Sequence, residues 1–71
     1  MLNSSIKSIL REIDKAIEAC DSTHTPTLCA MRADNRDNLV ARIYNLVVMK
    51  GIFISEAMAE LEQSFSLNSP E

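Results

Sequence analysis

The chain has 71 residues, of which 46% are hydrophobic, and its seven Lys and Arg against ten Asp and Glu give a net charge of −3. A domain this short buries only about 60% of the surface that its unfolded chain exposes, so disulfides, metals or association usually stabilise it further. Two cysteines and no recognisable secretion signal argue against a disulfide framework, so we expect a cytoplasmic protein. The longest uncharged apolar stretch, residues 43–49, is far short of the roughly 18 residues that span a bilayer. We therefore expect a soluble protein with no membrane partner.

The first predicted helix covers about residues 5–20. Ser4 or Ser5 is expected at its start, since a hydroxyl there can accept a hydrogen bond from a free backbone N–H. The apolar residues that follow recur every three or four positions: Ile6, Ile9, Leu10, Ile13, Ala16, Ile17 and Cys20. This spacing predicts one apolar stripe, wide enough to pack against two neighbouring helices.

The second predicted helix covers residues 26–50. Thr25 followed by Pro26 is a good helix start, and Gly51 is the residue type that most often closes a helix in the left-handed conformation. The stretch 33–38 is polar all round, so Asp34 or Asp37 could instead cap a shorter helix that begins there. We favour one continuous helix, because nothing between Thr27 and Lys50 forbids it.

The third predicted helix covers about residues 55–66, with Ser55 as its cap and Glu56 in its first turn. Glu56, Glu60 and Glu62 are expected on a solvated face. The polar residues 66–71 are expected to form a frayed tail. The chain as a whole is predicted to be a single all-α domain over residues 1–71, with three helices in an antiparallel arrangement.

Cys20, His24 and Cys29 are the one cluster of residue types that bind metals or act as nucleophiles. Their spacing matches no common zinc pattern, and a closed zinc site needs a fourth ligand. A catalytic cysteine would need a substrate cleft, for which a chain this small has little room. We therefore predict packed cysteines and a loop histidine, with no metal, no cofactor and no catalytic residue, so that the protein is not an enzyme.

Residues 39–65 have the outline of a helix-turn-helix motif, which is the basis of an alternative prediction. Arg32, Arg36 and Arg42 could then form a basic strip on a small dimeric DNA-binding regulator. Residues 51–71, however, contain four glutamates and no Lys or Arg, so the helix that should enter the groove would repel phosphate. Nucleic acid is therefore an unlikely partner.

The apolar residues near the end of the second helix and in the turn after it exceed what one short helix can cover. We interpret this excess as a partner surface formed by Leu39, Ile43, Tyr44, Val47, Ile52 and Phe53. In size and composition the chain resembles small helical accessory proteins of bacteria and their phages. The favoured prediction is a non-catalytic protein interaction module, a small regulator, inhibitor or chaperone-like protein that acts as a homodimer or as a subunit of a heteromer.

Overall fold

A computed structural model describes the backbone of residues 2–68 and the side chains of residues 6–65. The described chain is three α-helices joined by two connections: α1 over Leu2–Ala19, α2 over Pro26–Lys50 and α3 over Ile54–Asn68. Residues 2–68 contain no β-strand. The predicted all-α fold is confirmed.

Helix α1 begins earlier than the sequence suggested. Ser4 and Ser5 lie inside the helix rather than at its start, because helical backbone extends back to Leu2. At the other end Ala19 is the last helical residue, which leaves Cys20 in the connection. The predicted stripe is present, but only Ile13 and Ile17 in its centre are fully buried.

Helix α2 has the predicted ends. Pro26 is in its first turn, and Gly51 follows its last residue with φ of 65° and donates its backbone N–H to the carbonyl of Val47. That left-handed conformation costs glycine little, which explains why the helix stops there. Thr25 precedes the helix as predicted, but its side chain caps no N–H of α2. Its hydroxyl donates instead to the backbone carbonyl of Asp21.

The expectation of an uninterrupted second helix is corrected at Asn35. Its backbone angles, φ −156° and ψ 92°, are extended, and they divide α2 into two helical parts. The Asn35 side-chain oxygen accepts a hydrogen bond from the backbone N–H of Asn38 at 3.1 Å, which is the bond that an N-cap residue makes three positions ahead. Asn35 therefore starts the second part of the helix, in place of the candidates Asp34 and Asp37.

Helix α3 starts one residue before the predicted position. The carbonyl of Phe53 accepts the first helical bond from Ala57, and the backbone N–H of Phe53 donates to the carboxylate of Glu56. This is the acidic half of a capping box, so Phe53 and not Ser55 occupies the cap position. The helix continues through Asn68. The frayed tail of residues 66–71 stays a prediction, and residues 69–71 lie outside the described part of the chain.

The core lies where the three helices meet. Its fully or almost fully buried side chains are all hydrophobic: Ile13, Ile17, Leu28, Leu39, Ile43, Ala57 and Leu61. The chain direction changes by 115° between α2 and α3, so these helices form a corner, whereas an antiparallel hairpin would turn by close to 180°. Within residues 2–68 no single helix is long and apolar enough to cross a membrane; only the bent pair of α2 with residues 54–65 reaches that length and hydropathy.

Candidate association surface

The most exposed large apolar residues in the described region are close in sequence, at the point where α2 turns into α3. Met49 is 82% exposed, Phe53 is 78% exposed and Val48 is 52% exposed. All three fall within six residues, around the Gly51 turn. We call Val48, Met49 and Phe53 the apolar corner.

The charges beside the apolar corner are already engaged. Lys50 Nζ lies 2.9 Å from the Glu60 carboxylate, so the one cation of the turn is paired. The Glu56 carboxylate accepts the N–H of Phe53. A partner that covers the apolar corner therefore contacts apolar side chains, and next to them the ion pair between Lys50 and Glu60.

The interface residues predicted from the sequence divide into three groups. Leu39 and Ile43 are fully buried in the core of the chain, and their part in an interface stays a prediction. Tyr44, Val47 and Ile52 are partly buried and pack against that core. Phe53 alone is largely exposed.

Sequence reasoning left Val48 and Met49 out of the predicted interface. The signal for Met49 was present, because it departs from the main apolar stripe of α2 beside Val48. A helical residue off the buried stripe faces solvent unless another element covers it. Periodicity alone could not reveal that α3 turns away at Gly51 and leaves this position uncovered.

A second, weaker apolar area lies on α1. Ile6 is 38% exposed and Leu10 is 37% exposed, one helical turn apart. Each is about half as exposed as Met49 or Phe53. The area serves below as the comparison surface for the apolar corner.

Arg32 is bound within the chain. Its Nη1 donates to the carbonyl of Ile17 at 2.6 Å and lies 3.5 Å from both the carbonyl of Glu18 and Cys20 Sγ. The last carbonyls of a helix have no intrahelical partner, so the guanidinium supplies the missing donor at the end of α1. Arg32 thereby joins α1 to α2.

Arg36 and Arg42 also have partners inside the chain. Arg36 forms ion pairs with Glu18 at 2.6 Å and Asp14 at 3.1 Å, and the hydrogen bond that it donates to Glu18 raises the pKa of its guanidinium. The guanidinium of Arg42 lies over the Phe65 ring, 5.8 Å from its centre. The three arginines predicted as a basic strip thus each contact a group of the protein itself.

Glu62 has a role that the expected solvated face did not predict. Its two carboxylate oxygens accept hydrogen bonds from the backbone N–H groups of Thr27 at 3.1 Å and Leu28 at 3.0 Å. These N–H groups lie in the first turn of α2, where the helix dipole favours negative charge. A partly buried side chain of α3 therefore caps α2, the task that sequence reasoning gave to Thr25.

The cysteines meet at the connection between α1 and α2. Cys20 Sγ and Cys29 Sγ are 3.5 Å apart, both are free and both are partly exposed. Burial, together with the contact to Cys20, raises the pKa of the Cys29 thiol. His24 does not join them and instead faces the Asp21 carboxylate, with its Nδ1 3.2 Å from Oδ1.

Asp21 organises the same connection. Its carboxylate accepts hydrogen bonds from the backbone N–H groups of Thr23 and His24, and the bond from the His24 backbone is the main cause that lowers the pKa of Asp21. Among the described side chains, no three His, Cys, Asp or Glu residues are grouped to hold a metal ion, and the described part of the chain contains no pocket.

Comparisons with known proteins found no match to any family model, any curated protein or any solved structure.

Proposed function

We propose that this protein is a non-catalytic protein interaction module, a small cytoplasmic regulator, and that the apolar corner is the surface through which it associates. The observation that carries the proposal is the exposure of Met49 and Phe53, 82% and 78%, on either side of the turn at Gly51. Phe and Met are among the residues enriched at interfaces, where they fill pockets on the partner.

The small core gives a physical reason for association. The buried side chains of the described region number seven, all of them hydrophobic. Stability in a chain of this size is marginal, and a partner that binds only the folded state adds to it. Ile52, in the turn between Val48 and Phe53, already packs against the core. A partner that covers the apolar corner would therefore extend the core outward from Ile52.

The occupant that we propose for the corner is a second copy of this chain. A two-fold dimer brings the same patch of each copy together, which suits a patch that is apolar and locally neutral. Lys50 and Glu60 neutralise each other, and the Glu56 charge lies in the first turn of α3, where the helix dipole opposes it, so two corners can approach with little repulsion even though each chain carries a net charge of −3.

The expected affinity is modest. Burying two copies each of Met49 and Phe53 offers about 6–12 kcal/mol, at roughly 1.5–3 kcal/mol for each of the four side chains. Association itself costs about 4–15 kcal/mol in lost freedom of motion. The free energy of association is therefore at most about 8 kcal/mol, which corresponds to a dimer that dissociates at micromolar concentrations or above, a range suited to a reversible regulator.

Light scattering behind size exclusion tests the proposal, over about one to several hundred micromolar. The wild type should rise from 7.9 kDa towards twice that mass, and Phe53→Asp should remain monomeric while keeping its helical circular dichroism. Ser8→Asp adds the same charge at an exposed site of α1, beside the weaker apolar area, and should dimerise like the wild type. A wild type that stays monomeric throughout, or a dimer that only Ser8→Asp disrupts, contradicts the proposed surface.

The alternative function is a DNA-binding regulator, and one observation favours it. The 115° change of direction at a three-residue turn containing Gly51 resembles the geometry of a helix-turn-helix motif. Against it, α3 carries Glu56, Glu60 and Glu62 with no Lys or Arg, and Arg32 and Arg36 are engaged inside the chain. Helices α2 and α3 therefore offer few free cations to bind the phosphates of DNA.

Salt dependence distinguishes the two functions. A DNA-binding protein would retain duplex DNA at low salt and lose it steeply as salt rises, because bound phosphates release counterions. We expect no retention at any salt concentration. Retention that Arg42→Gln weakens would favour the alternative, since Arg42 is the exposed arginine of α2.

A further inference from the structure

The two cysteines of the chain face each other across the connection between α1 and α2. Cys20 directly follows α1 and Cys29 lies in the first turn of α2, yet their sulfurs are only 3.5 Å apart. A disulfide bond has a length of about 2.05 Å, so the sulfurs need to approach by roughly 1.5 Å to bond. Both side chains are partly exposed, so a small reagent can reach them.

Backbone hydrogen bonds hold this approach in place. The carbonyl of Asp21 accepts from the backbone N–H of Thr25 at 2.8 Å, and the carbonyl of Thr25 accepts from that of Cys29 at 3.0 Å. The Asp21 carboxylate closes the turn between them through Thr23 and His24. The fold therefore presents the thiols to each other, whereas in the unfolded chain they would meet only by chance closure of the intervening segment.

The surroundings of the two sulfurs differ. Arg32 Nη1 lies 3.5 Å from Cys20 Sγ, so a negative charge on that sulfur faces a cation. Cys29 has no cation within hydrogen-bonding distance, and burial raises the pKa of its thiol more than the charge of Arg32 lowers it. Cys20 is therefore the sulfur that reacts first, and Cys29 is the one that follows.

We propose that Cys20 and Cys29 are a redox-active dithiol whose substrates are low-molecular-weight disulfides. The Cys20 thiolate attacks one sulfur of such a disulfide, and the small S–S bond breaks as a mixed disulfide forms on Cys20. Cys29, after losing its proton, attacks the Cys20 sulfur and displaces the second small thiolate. Two protein thiols are oxidised to one disulfide, and the small disulfide is reduced to two thiols that take up the two protons.

This reactivity is independent of the apolar corner, which lies at the other end of α2. In a reducing compartment such a pair is reduced at rest and oxidised transiently, the usual behaviour of disulfides there. The new bond ties the end of α1 to the first turn of α2, the same junction that Arg32 bridges through the Ile17 carbonyl. Oxidation would thus reinforce a contact between helices that the reduced fold already makes.

Intact mass spectrometry with mixtures of oxidised and reduced glutathione tests the proposal. The folded wild type should lose about 2 Da as a monomer, with no lasting glutathione adduct, because Cys29 resolves the mixed disulfide. The same chain in concentrated urea should need at least about tenfold more oxidised glutathione to reach half oxidation. A lasting adduct, a disulfide-linked dimer, or equal oxidation with and without urea overturns the proposal.

The single variants test the order of attack. Cys29→Ser should accumulate a stable glutathione adduct on Cys20, and Cys20→Ser should form its adduct on Cys29 about tenfold more slowly. Combining Cys29→Ser with Arg32→Gln should slow the first adduct towards the rate of Cys20→Ser. Equal rates in the two single variants overturn the assignment of Cys20 as the attacking sulfur, and the wild-type measurement does not depend on how either variant folds.

Discussion

The carboxylate of Glu62 accepts a hydrogen bond from the backbone N–H of Leu28, 34 residues earlier in the chain, at 3.0 Å. Its other oxygen accepts from Thr27, so one side chain of α3 caps the first turn of α2. Leu28 is itself fully buried in the core. The cap therefore fixes the position of α3 against the start of α2, next to the core residue Leu28.

Replacing Glu62 should destabilise the fold more than replacing its neighbour Glu60. Glu62→Ala leaves two N–H groups of α2 without their acceptor and should lower the free energy of unfolding by about 1–2 kcal/mol. Glu60→Ala removes an exposed ion pair with Lys50 and should cost about 0.5 kcal/mol or less. Urea unfolding of both variants measures the difference, and equal losses would contradict the capping role.

Replacing Arg32 should lower the free energy of unfolding more than replacing Arg36. Arg32→Ala removes the donor to the partly buried end of α1 and should cost about 1–2 kcal/mol, with little dependence on salt. Arg36→Ala removes ion pairs to exposed carboxylates of Asp14 and Glu18 and should cost about 0.5 kcal/mol, falling further as salt rises. Urea unfolding at low and high salt separates the two, and a larger or salt-independent loss at Arg36 would show that this account of the two arginines is wrong.

Asp21 should make the stability depend on acid pH. Its pKa in the folded chain lies below the ordinary value of 3.8, so its contribution is complete above about pH 4 and is lost as pH falls through the lowered folded value. Asp21→Asn cannot ionise and lacks this contribution at every pH. The urea midpoint of the wild type should exceed that of the variant near neutral pH, and the gap should narrow as pH falls below the ordinary pKa of 3.8. A gap that stays constant or widens in acid would contradict the assigned role.

Truncating a core residue of α2 should destabilise the fold far more than truncating an exposed residue of the same helix. Ile43 is fully buried, and Ile43→Ala should cost about 2–5 kcal/mol, which is enough to unfold much of a small domain. Met49 is 82% exposed, and Met49→Ala should leave the stability of the monomer within about 0.5 kcal/mol. Thermal unfolding at low concentration, where association is absent, distinguishes them. A large loss at Met49 would mean that its side chain packs within the chain.

The helices were predictable because their signals are local. Pro26 and Gly51 mark the ends of α2 through their own backbone preferences, and the spacing around Ile13 and Ile17 defines the buried face of α1. The break at Asn35 was harder to place, since Asp34, Asn35 and Asp37 are all good capping residues. Only the three-dimensional packing selects among them.

The candidate association surface was predictable only in outline. An apolar excess near the end of α2 is visible in the sequence, but periodicity does not say which part of a stripe a neighbouring helix covers. Packing of α1 and α3 buries Leu39 and Ile43, and the turn at Gly51 leaves Met49 and Phe53 outside. The Glu62 cap and the Cys20 to Cys29 contact likewise join residues from different elements, so no local pattern contains them.

Backbone amide NMR of the wild type on dilution tests the central claim most directly, because it locates the self-contact without changing any side chain. Between about one hundred micromolar and a few micromolar, the signals of Val48, Met49 and Phe53 should shift together along one dimerisation curve. The signals around Ile6 and Leu10 on α1 should stay constant. Shifts confined to α1, or none anywhere in the spectrum, would contradict association through the apolar corner.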